Sequence, residues 1–232
     1  MSIPQGDPAP ALSPGEFTAR YDKFVVDLLG VMAYGELSAF ERLSSDARYS
    51  PTLHDRATLA RMAVREFEHF ETVSARLSAM GLDVELAMRP FQTSIEAFHD
   101  RTRPADWYES LMKAYVVDAI SDDFYHSISA FLDPETSAVI AAVRTSEESS
   151  QLLQSRLKTV LAEDPRLSSR LALWGRRLVG EALTQAQRVG KDHSFLMGLL
   201  PPEQMPAAEV SSLLASLTRN HSRRMSQLGL TA

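Results

Sequence analysis

The central segment of the chain reads Arg65-Glu66-Phe67-Glu68-His69-Phe70-Glu71 and lies within a long stretch of helical periodicity. Glu66 and His69 are three residues apart, so a helix places them on one face, with their Cβ atoms about 5–6 Å apart. A carboxylate and an imidazole at this distance can bind one metal ion together. A solvated, charged helix face is the commoner explanation of an isolated Glu-x-x-His motif, so the interpretation depends on the rest of the chain.

The composition of the chain limits the kinds of site that it can build. Of its 232 residues, 44% are hydrophobic and 23% are charged, which is typical of a globular protein. The length suits one domain with a tail. Cysteine is absent. The sequence therefore excludes disulfides, zinc–thiolate sites and thiol nucleophiles, and any metal must be bound by carboxylates and imidazoles.

The N-terminal residues 1–13 are rich in proline and small residues, and they lack the basic and apolar regions of a signal peptide. We expect a disordered leader there. No apolar run approaches the roughly 20 residues that a membrane-spanning helix needs. We therefore expect a soluble, cytoplasmic protein with no membrane partner, and a homo-oligomer is compatible with the sequence.

Charge is distributed unevenly along the chain. The net charge is −6, but the region after Pro165 contains nine Lys or Arg residues and four Asp or Glu residues. That region therefore carries +5, and the residues before it carry −11. Such asymmetry is typical of a surface that binds a polyanion such as tRNA. A solvated helix face packed near acidic residues explains the pattern equally well.

Apolar residues recur at helical spacing along most of the chain, whereas alternating strand patterns and hairpin turns are few. The sequence therefore predicts an all-α fold. The expected helices span 14–45, 52–80, 105–132, 134–163, 165–198 and 207–228, with a short helical piece around 93–98. The first four long helices would form a four-helix bundle of two hairpins joined by a longer link, with the last two as additional C-terminal helices. The expected division is a leader at 1–13, a bundle domain at 14–200, and a C-terminal helix and tail at 201–232.

Two glutamates lie in the apolar stripes of the first two predicted helices. Glu36 is flanked by Tyr34 and Leu37, and Glu66 is in line with Leu59. A carboxylate in such a stripe points into the bundle, where its burial is costly unless it binds a cation or a proton. The two glutamates are therefore candidate metal ligands.

The spacing of carboxylates is similar in the two predicted hairpins. Glu36 and Glu66 are 30 residues apart, and Asp118 and Glu147, in the third and fourth helices, are 29 apart. A ferritin-like bundle takes one carboxylate from each of two helices and a Glu-x-x-His from each of the other two. The spacing therefore selects a ligand set of Glu36, Glu66, His69, Asp118 and Glu147, with Glu148 as the alternative to Glu147 if the helix is rotated.

The second half of this pattern is incomplete. The residue three positions after Glu147 is Ser150, where the pattern requires a histidine. Iron is the expected cofactor, with one well-occupied ion beside Glu66 and His69. The second position, near Glu147 and Ser150, is expected to be weak or empty.

The chain resembles the tRNA 2-methylthio-N6-isopentenyladenosine hydroxylases, and in particular a branch of shorter, hydroxylase-like proteins. The resemblance rests on Arg65–Glu71, on Val117-Asp118-Ala119 and on Ser146-Glu147. It implies a ferritin-like, non-haem di-iron monooxygenase that hydroxylates an isopentenyl group on tRNA, using dioxygen and two electrons. The well-studied hydroxylases have Glu where this chain has Asp118, and a second Glu-x-x-His that ends here in Ser150.

Two other functions are compatible with the same bundle. The chain could retain the fold without oxygen chemistry and act as a binding or regulatory protein, or the same ligands could serve iron handling. Measuring the metal content of the purified chain distinguishes the binding or regulatory protein from an iron-dependent oxidoreductase.

Several polar residues near the proposed ligands have simpler explanations. Tyr34 and Tyr115 are expected to pack with satisfied hydroxyls, and Asp122 is expected on a solvated face. His126 lies roughly 12 Å along the helix axis from Asp118, too far to replace the missing histidine.

Overall fold

The all-α prediction is confirmed by a computed structural model that describes residues 14–144, 147–192 and 207–232. Within these residues the chain forms helices and turns and no strands. The helices are α1 (Pro14–Ala47), α2 (Leu53–Ala79), α3 (Val84–Met88), α4 (Gln92–Arg101), α5 (Trp107–Ser129), α6 (Pro134–Val143), α7 (Glu147–Glu163), α8 (Leu167–Asp192) and α9 (Ala207–Gln227). The expected leader at 1–13 lies outside the described residues. Among the described helices, none is both long and apolar enough to cross a bilayer.

The helix starts follow local capping chemistry, which explains why the sequence located them well. Thr52, Asp106 and Asp133 are the N-cap residues of α2, α5 and α6, and each side chain accepts a hydrogen bond from a backbone N–H three residues later. Such a bond satisfies a helix donor that would otherwise lack a partner. At the other end of α2, Gly81 adopts a φ of 75°, which favours glycine.

The prediction for the fourth long helix is wrong. The sequence predicts a continuous helix over 134–163, but α6 ends at Val143 and α7 begins at Glu147. Arg144 has a ψ of 140°, so the backbone leaves the helical path there. Its guanidinium binds Asp122 of α5 through two hydrogen bonds of 2.7 and 3.1 Å. A contact with another helix thus accompanies the break, and Thr145 and Ser146, which follow, are weak helix formers.

The helices enclose two hydrophobic clusters, one toward each end of the α1–α2 hairpin. The first cluster includes Leu28, Met32, Val73, Leu77 and Ile128. The second includes Leu59, Leu111, Leu157, Leu171 and Leu178. Between the clusters, α1, α2 and α5 present partly exposed polar and aromatic side chains. The fold therefore leaves room for a polar site midway along the bundle.

The C-terminal helix packs onto the bundle rather than away from it. Met225 of α9, with Leu228 and Leu230 after it, belongs to the second hydrophobic cluster, and α9 contacts both α5 and α8. Trp174 of α8 donates a hydrogen bond of 2.9 Å to the carbonyl oxygen of Glu109 in α5. The division of the chain at residue 200 stays a prediction.

Two glycines lie inside α1, and only Gly30 is at a close packing contact. A Cβ on Gly30 would lie 2.3 Å from the carbonyl oxygen of Ala87, whereas a Cβ on Gly35 would meet no atom within 4 Å. We expect Gly30→Ala to lower the free energy of unfolding by about 2–3 kcal/mol, because backbone cannot yield cheaply. Gly35→Ala should raise it by about 0.5–1 kcal/mol, since alanine loses less entropy in a helix. Denaturant unfolding of the two variants measures both effects, and equal effects would contradict this packing.

Candidate metal centre

Three of the predicted ligands meet between the two hydrophobic clusters. Ligand atoms of Glu36, Glu66 and His69 all lie within 4.8 Å of one another. His69 Nδ1 is 3.5 Å from a carboxylate oxygen of Glu36 and 3.9 Å from one of Glu66. The three side chains are only 12–14% exposed. The helical spacing of Glu66 and His69 and the pairing of α1 with α2 together produce this cluster.

Asp118 approaches the same cluster from α5. It lies outside the 4.8 Å group, but burial, together with the charges of Glu66 and Glu36, raises its pKa well above the usual range. Such an effect requires the carboxylates to be near one another. Three carboxylates from three helices therefore face a common region.

The electrostatics of the cluster are unfavourable without a cation. Burial raises the pKa of Glu36 to about 8, and the charge of Glu66 acts in the same direction. Burial alone would lower the pKa of His69, but its hydrogen bonds with Glu36 and Glu66 raise it to about 9. At neutral pH the cluster must therefore retain protons. The single imidazole cannot neutralise three carboxylates.

This donor set suits a metal ion. Carboxylate oxygens and a neutral imidazole nitrogen are the ligands that iron and similar divalent ions take in helical bundles. A divalent cation would replace the protons on Glu36 and His69 and would remove the repulsion among the carboxylates. The residues that the structure brings together thus fit the metal that the sequence predicts.

Glu147 is the fifth member of the predicted ligand set. It is the first residue of α7, and its side chain lies outside those that the structure describes. The break before α7 also means that the 29-residue spacing from Asp118 no longer fixes the face on which Glu147 lies. Arg65 of α2 donates a hydrogen bond to the hydroxyl of Ser149, so the start of α7 lies beside α2. The pairing of Glu147 with Asp118 stays a prediction.

A comparison with protein-family profiles shows the family to which the chain belongs. A profile described as "Ferritin-like domain, actinomycetes" matches residues 19–203. The chain belongs to this ferritin-like family. No match was found among curated protein sequences. The narrower resemblance to tRNA hydroxylases stays a prediction.

Two solved structures share the ferritin-like fold of the chain. One is a Synechococcus protein with aldehyde deformylating oxidase activity, which is 20% identical with a TM-score of 0.71 over 93% of this chain and 94% of that one. The other is a putative class I ribonucleotide reductase from Bacillus halodurans, 13% identical with a TM-score of 0.65 over 94% of this chain and 84% of that one. At these identities the likeness shows the fold alone.

Tyr125 is a further residue near the cluster that the sequence did not indicate. It lies seven residues after Asp118 on α5, so a helix places both on one face. Burial and the charges of Glu36 and Glu66 raise the pKa of its hydroxyl far above the usual value. The i, i+7 relation to Asp118 is the signal that could have found it. The hydroxyls of two other tyrosines form hydrogen bonds outside the cluster. Tyr34 donates to Glu96 at 2.9 Å, and Tyr115 accepts from Gln154 at 3.4 Å.

Two arginines hold the segment of α5 that follows Asp118. Asp122, expected on a solvated face, binds Arg144 instead, and its side chain is 22% exposed. The next residue, Asp123, binds Arg224 of α9 through two hydrogen bonds of 2.6 and 2.7 Å. These pairs fix α5 to the break between α6 and α7 on one side and to the C-terminal helix on the other.

Asp118→Asn should stabilise the metal-free protein. Because the pKa of Asp118 is raised on folding, its ionised form destabilises the fold, and this penalty grows as pH rises from the unfolded pKa toward the folded one. We expect a gain of about 1–3 kcal/mol in the free energy of unfolding at pH 8 and little change near pH 4. Denaturant unfolding in the presence of a chelator measures this. Asp122→Asn, which breaks an ion pair instead, should not raise the free energy of unfolding. A lower free energy of unfolding in both variants would contradict the proposed repulsion among the carboxylates.

Proposed function

We propose that this ferritin-like chain binds iron between α1, α2 and α5 and uses dioxygen to oxidise a substrate. The observation that carries the proposal is the convergence of Glu36, Glu66 and His69, with Asp118 nearby, in the middle of the bundle. The oxidase activity in the name of the Synechococcus protein, which has the same fold, supports the same class of reaction.

The residues of the cluster have distinct parts in this proposal. Glu36, Glu66, His69 and Asp118 would hold the metal, and iron bound there would supply the redox chemistry for activating dioxygen. His69 would bind as the neutral imidazole, since a protonated ring has no free lone pair. The Tyr125 hydroxyl, whose pKa is raised by burial and by the charges of Glu36 and Glu66, stays protonated and would be available as a hydrogen-bond donor.

Dioxygen consumption by the ferrous protein tests the proposal. The metal-free chain is loaded with ferrous iron without air, mixed with aerated buffer, and followed with an oxygen electrode. We expect oxygen uptake in proportion to bound iron in the wild type and none in Glu66→Ala. Iron binding without any oxygen uptake would exclude the proposed oxidase, and failure to bind iron would favour the binding or regulatory alternative.

We further propose a hydroxylase that acts on tRNA as the narrower function. The support is the resemblance of the motifs and the positive region after Pro165. Two exposed arginines of α8 already make internal bonds: Arg176 donates to the carbonyl oxygen of Thr231 at 3.2 Å, and Arg177 donates to that of Arg101 at 2.6 Å. Phosphate contacts to α8 would have to use the remaining donors of these side chains.

Binding of tRNA at several salt concentrations tests the narrower function. Phosphate contacts make affinity fall steeply as salt rises. Charge reversal at Arg176 and Arg177 should weaken binding, whereas reversal at Arg89, an exposed arginine just after α3, should not. If binding is absent at low salt, or is unchanged in the double variant, the tRNA hypothesis is wrong.

Ser150→His should raise the iron content of the protein from about one ion per chain toward about two. The change restores the residue that the second Glu-x-x-His requires, and Ser150 is partly buried on the first turn of α7. Iron analysis after anaerobic loading and desalting measures the effect, with Ser155→His, at an exposed position of α7, as the control. A wild type that already binds two ions tightly would show that another residue supplies the missing ligand.

A further inference from the structure

The outer face of α2 carries an exposed apolar stripe, which we define as Leu53, Ala57, Ala60, Val64 and Phe67. Their spacing alternates between four and three residues, which is the spacing of a seam between two packed helices. Leu53, Val64 and Phe67 are 78, 54 and 36% exposed, and both alanines are exposed. Other exposed large apolar residues, such as Leu86 and Leu173, stand singly on their helices and need no partner.

The stripe lies on the side of α2 away from its buried residues. Leu59, Met62 and Ala63 face the core, while the stripe positions lie about a quarter to a half turn around the helix from them. At its inner edge, the Phe67 ring packs against Phe40 of α1, with ring centroids 5.2 Å apart. The part of the chain that the structure describes therefore leaves the stripe largely uncovered.

Charge differs between the two ends of the stripe. Arg48 and Arg56 are exposed at the end near Leu53, Arg61 is exposed near the middle, and Glu68 and Glu71 are exposed at the end near Phe67. A second α2 helix running in the opposite direction would place its acidic end beside the basic end of the first. A helix running in the same direction would place like charges together.

We propose that the stripe is an interface between two copies of this chain, with their α2 helices antiparallel across a two-fold axis near Ala60. In this arrangement Leu53 of one copy faces Phe67 of the other, and Ala57 faces Val64. The small side chain of Ala60 lets the helices approach closely at the axis. Each basic end meets an acidic end, so one surface is complementary to itself, as a two-fold interface requires.

The size of the stripe sets the strength of the dimer. The helix from Leu53 to Glu71 is about 27 Å long at 1.5 Å per residue. A single helix pair of that length buries less than the roughly 800 Å² per partner of a standard interface. We therefore expect a reversible dimer with a dissociation constant on the order of micromolar. The proposal does not depend on metal binding or on oxygen chemistry.

Sedimentation of the full chain over a range of concentrations tests the proposal. The average mass should rise from that of one chain toward twice that value in the wild type and should stay at one chain in Leu53→Asp/Val64→Asp. Leu173→Asp, which changes an exposed leucine on α8, is the matched control and should dimerise as the wild type does. A wild type that remains a monomer up to its solubility limit would overturn the proposal, whether or not another partner covers the stripe.

The absence of cysteine from the chain allows a second, positional test. In Ala60→Cys the two thiols should meet at the axis, so mild oxidation should convert most of the protein at dimerising concentrations to a disulfide-linked dimer. Ala162→Cys, at an exposed position of α7, should form little disulfide-linked dimer. A dimer that persists in Leu53→Asp/Val64→Asp, or equal cross-linking of the two cysteine variants, would place the interface elsewhere and overturn the proposal.

Discussion

His69→Ala should weaken iron binding by at least about 100-fold, and Glu66→Ala should have an effect of similar size. His69 supplies the imidazole of the described cluster, and Glu66 supplies a carboxylate on the same face of α2. Alanine at either position leaves the other ligands too few to displace water from the ion. Competition with a chelator of known affinity, under anaerobic conditions, measures the loss for each variant.

Glu68→Ala is the matched control for these two variants. Glu68 lies between the two ligands in sequence but is exposed, so its removal should change iron affinity less than about threefold. Equal losses in all three variants would mean that general destabilisation of α2, and not ligand removal, causes the effect. Unchanged affinity in His69→Ala would remove this histidine from the site.

Iron affinity should rise by about tenfold to a hundredfold for each pH unit between pH 6 and pH 8. The raised pKa values of Glu36, about 8, and His69, about 9, mean that both groups hold protons in the metal-free protein at neutral pH. Iron requires the carboxylate and the neutral imidazole, so it must displace one to two protons. Because lower pH favours the protonated groups, affinity must fall as pH falls, and the slope should flatten above pH 9.

Calorimetric titration in buffers of different ionisation enthalpy counts the protons released. Glu36 and His69 should release between one and two protons at pH 7, a proton on Asp118 would add to this number, and the total should fall toward zero above pH 9. An affinity that does not change between pH 6 and pH 8 would contradict the proposed protonation of the cluster. In His69→Ala the remaining pH dependence should reflect the carboxylates alone.

The helical architecture could be predicted from the sequence because its signals are local. Thr52, Asp106 and Asp133 mark helix starts, and the short turn between α1 and α2 brings these helices together. The break at Arg144 could not be predicted in this way, because the opposing signal is its pairing with Asp122 on a different helix. Helical periodicity alone continues through that point, and only the packed structure shows where the backbone departs.

Part of the candidate site could likewise be predicted from the sequence, and part of it could not. Glu36, Glu66 and His69 could be selected from periodicity and spacing, because α1 and α2 are continuous helices joined by a short turn. Tyr125 was missed because a partly buried tyrosine has no distinctive pattern in sequence, although the charges near it are evident in the fold. The place of Glu147 could not be fixed, since the break in the helix uncouples its position from the spacing that selected it.

The centre of the proposal is that one iron ion binds within the cluster of Glu36, Glu66 and His69. Anomalous diffraction at the iron edge, from crystals of the ferrous-loaded chain grown without air, tests this most directly. We expect one strong peak bounded by these three side chains and a weak peak or none beside Ser150. A strong peak away from these three residues, or no peak after loading with excess ferrous iron, would contradict the proposed site.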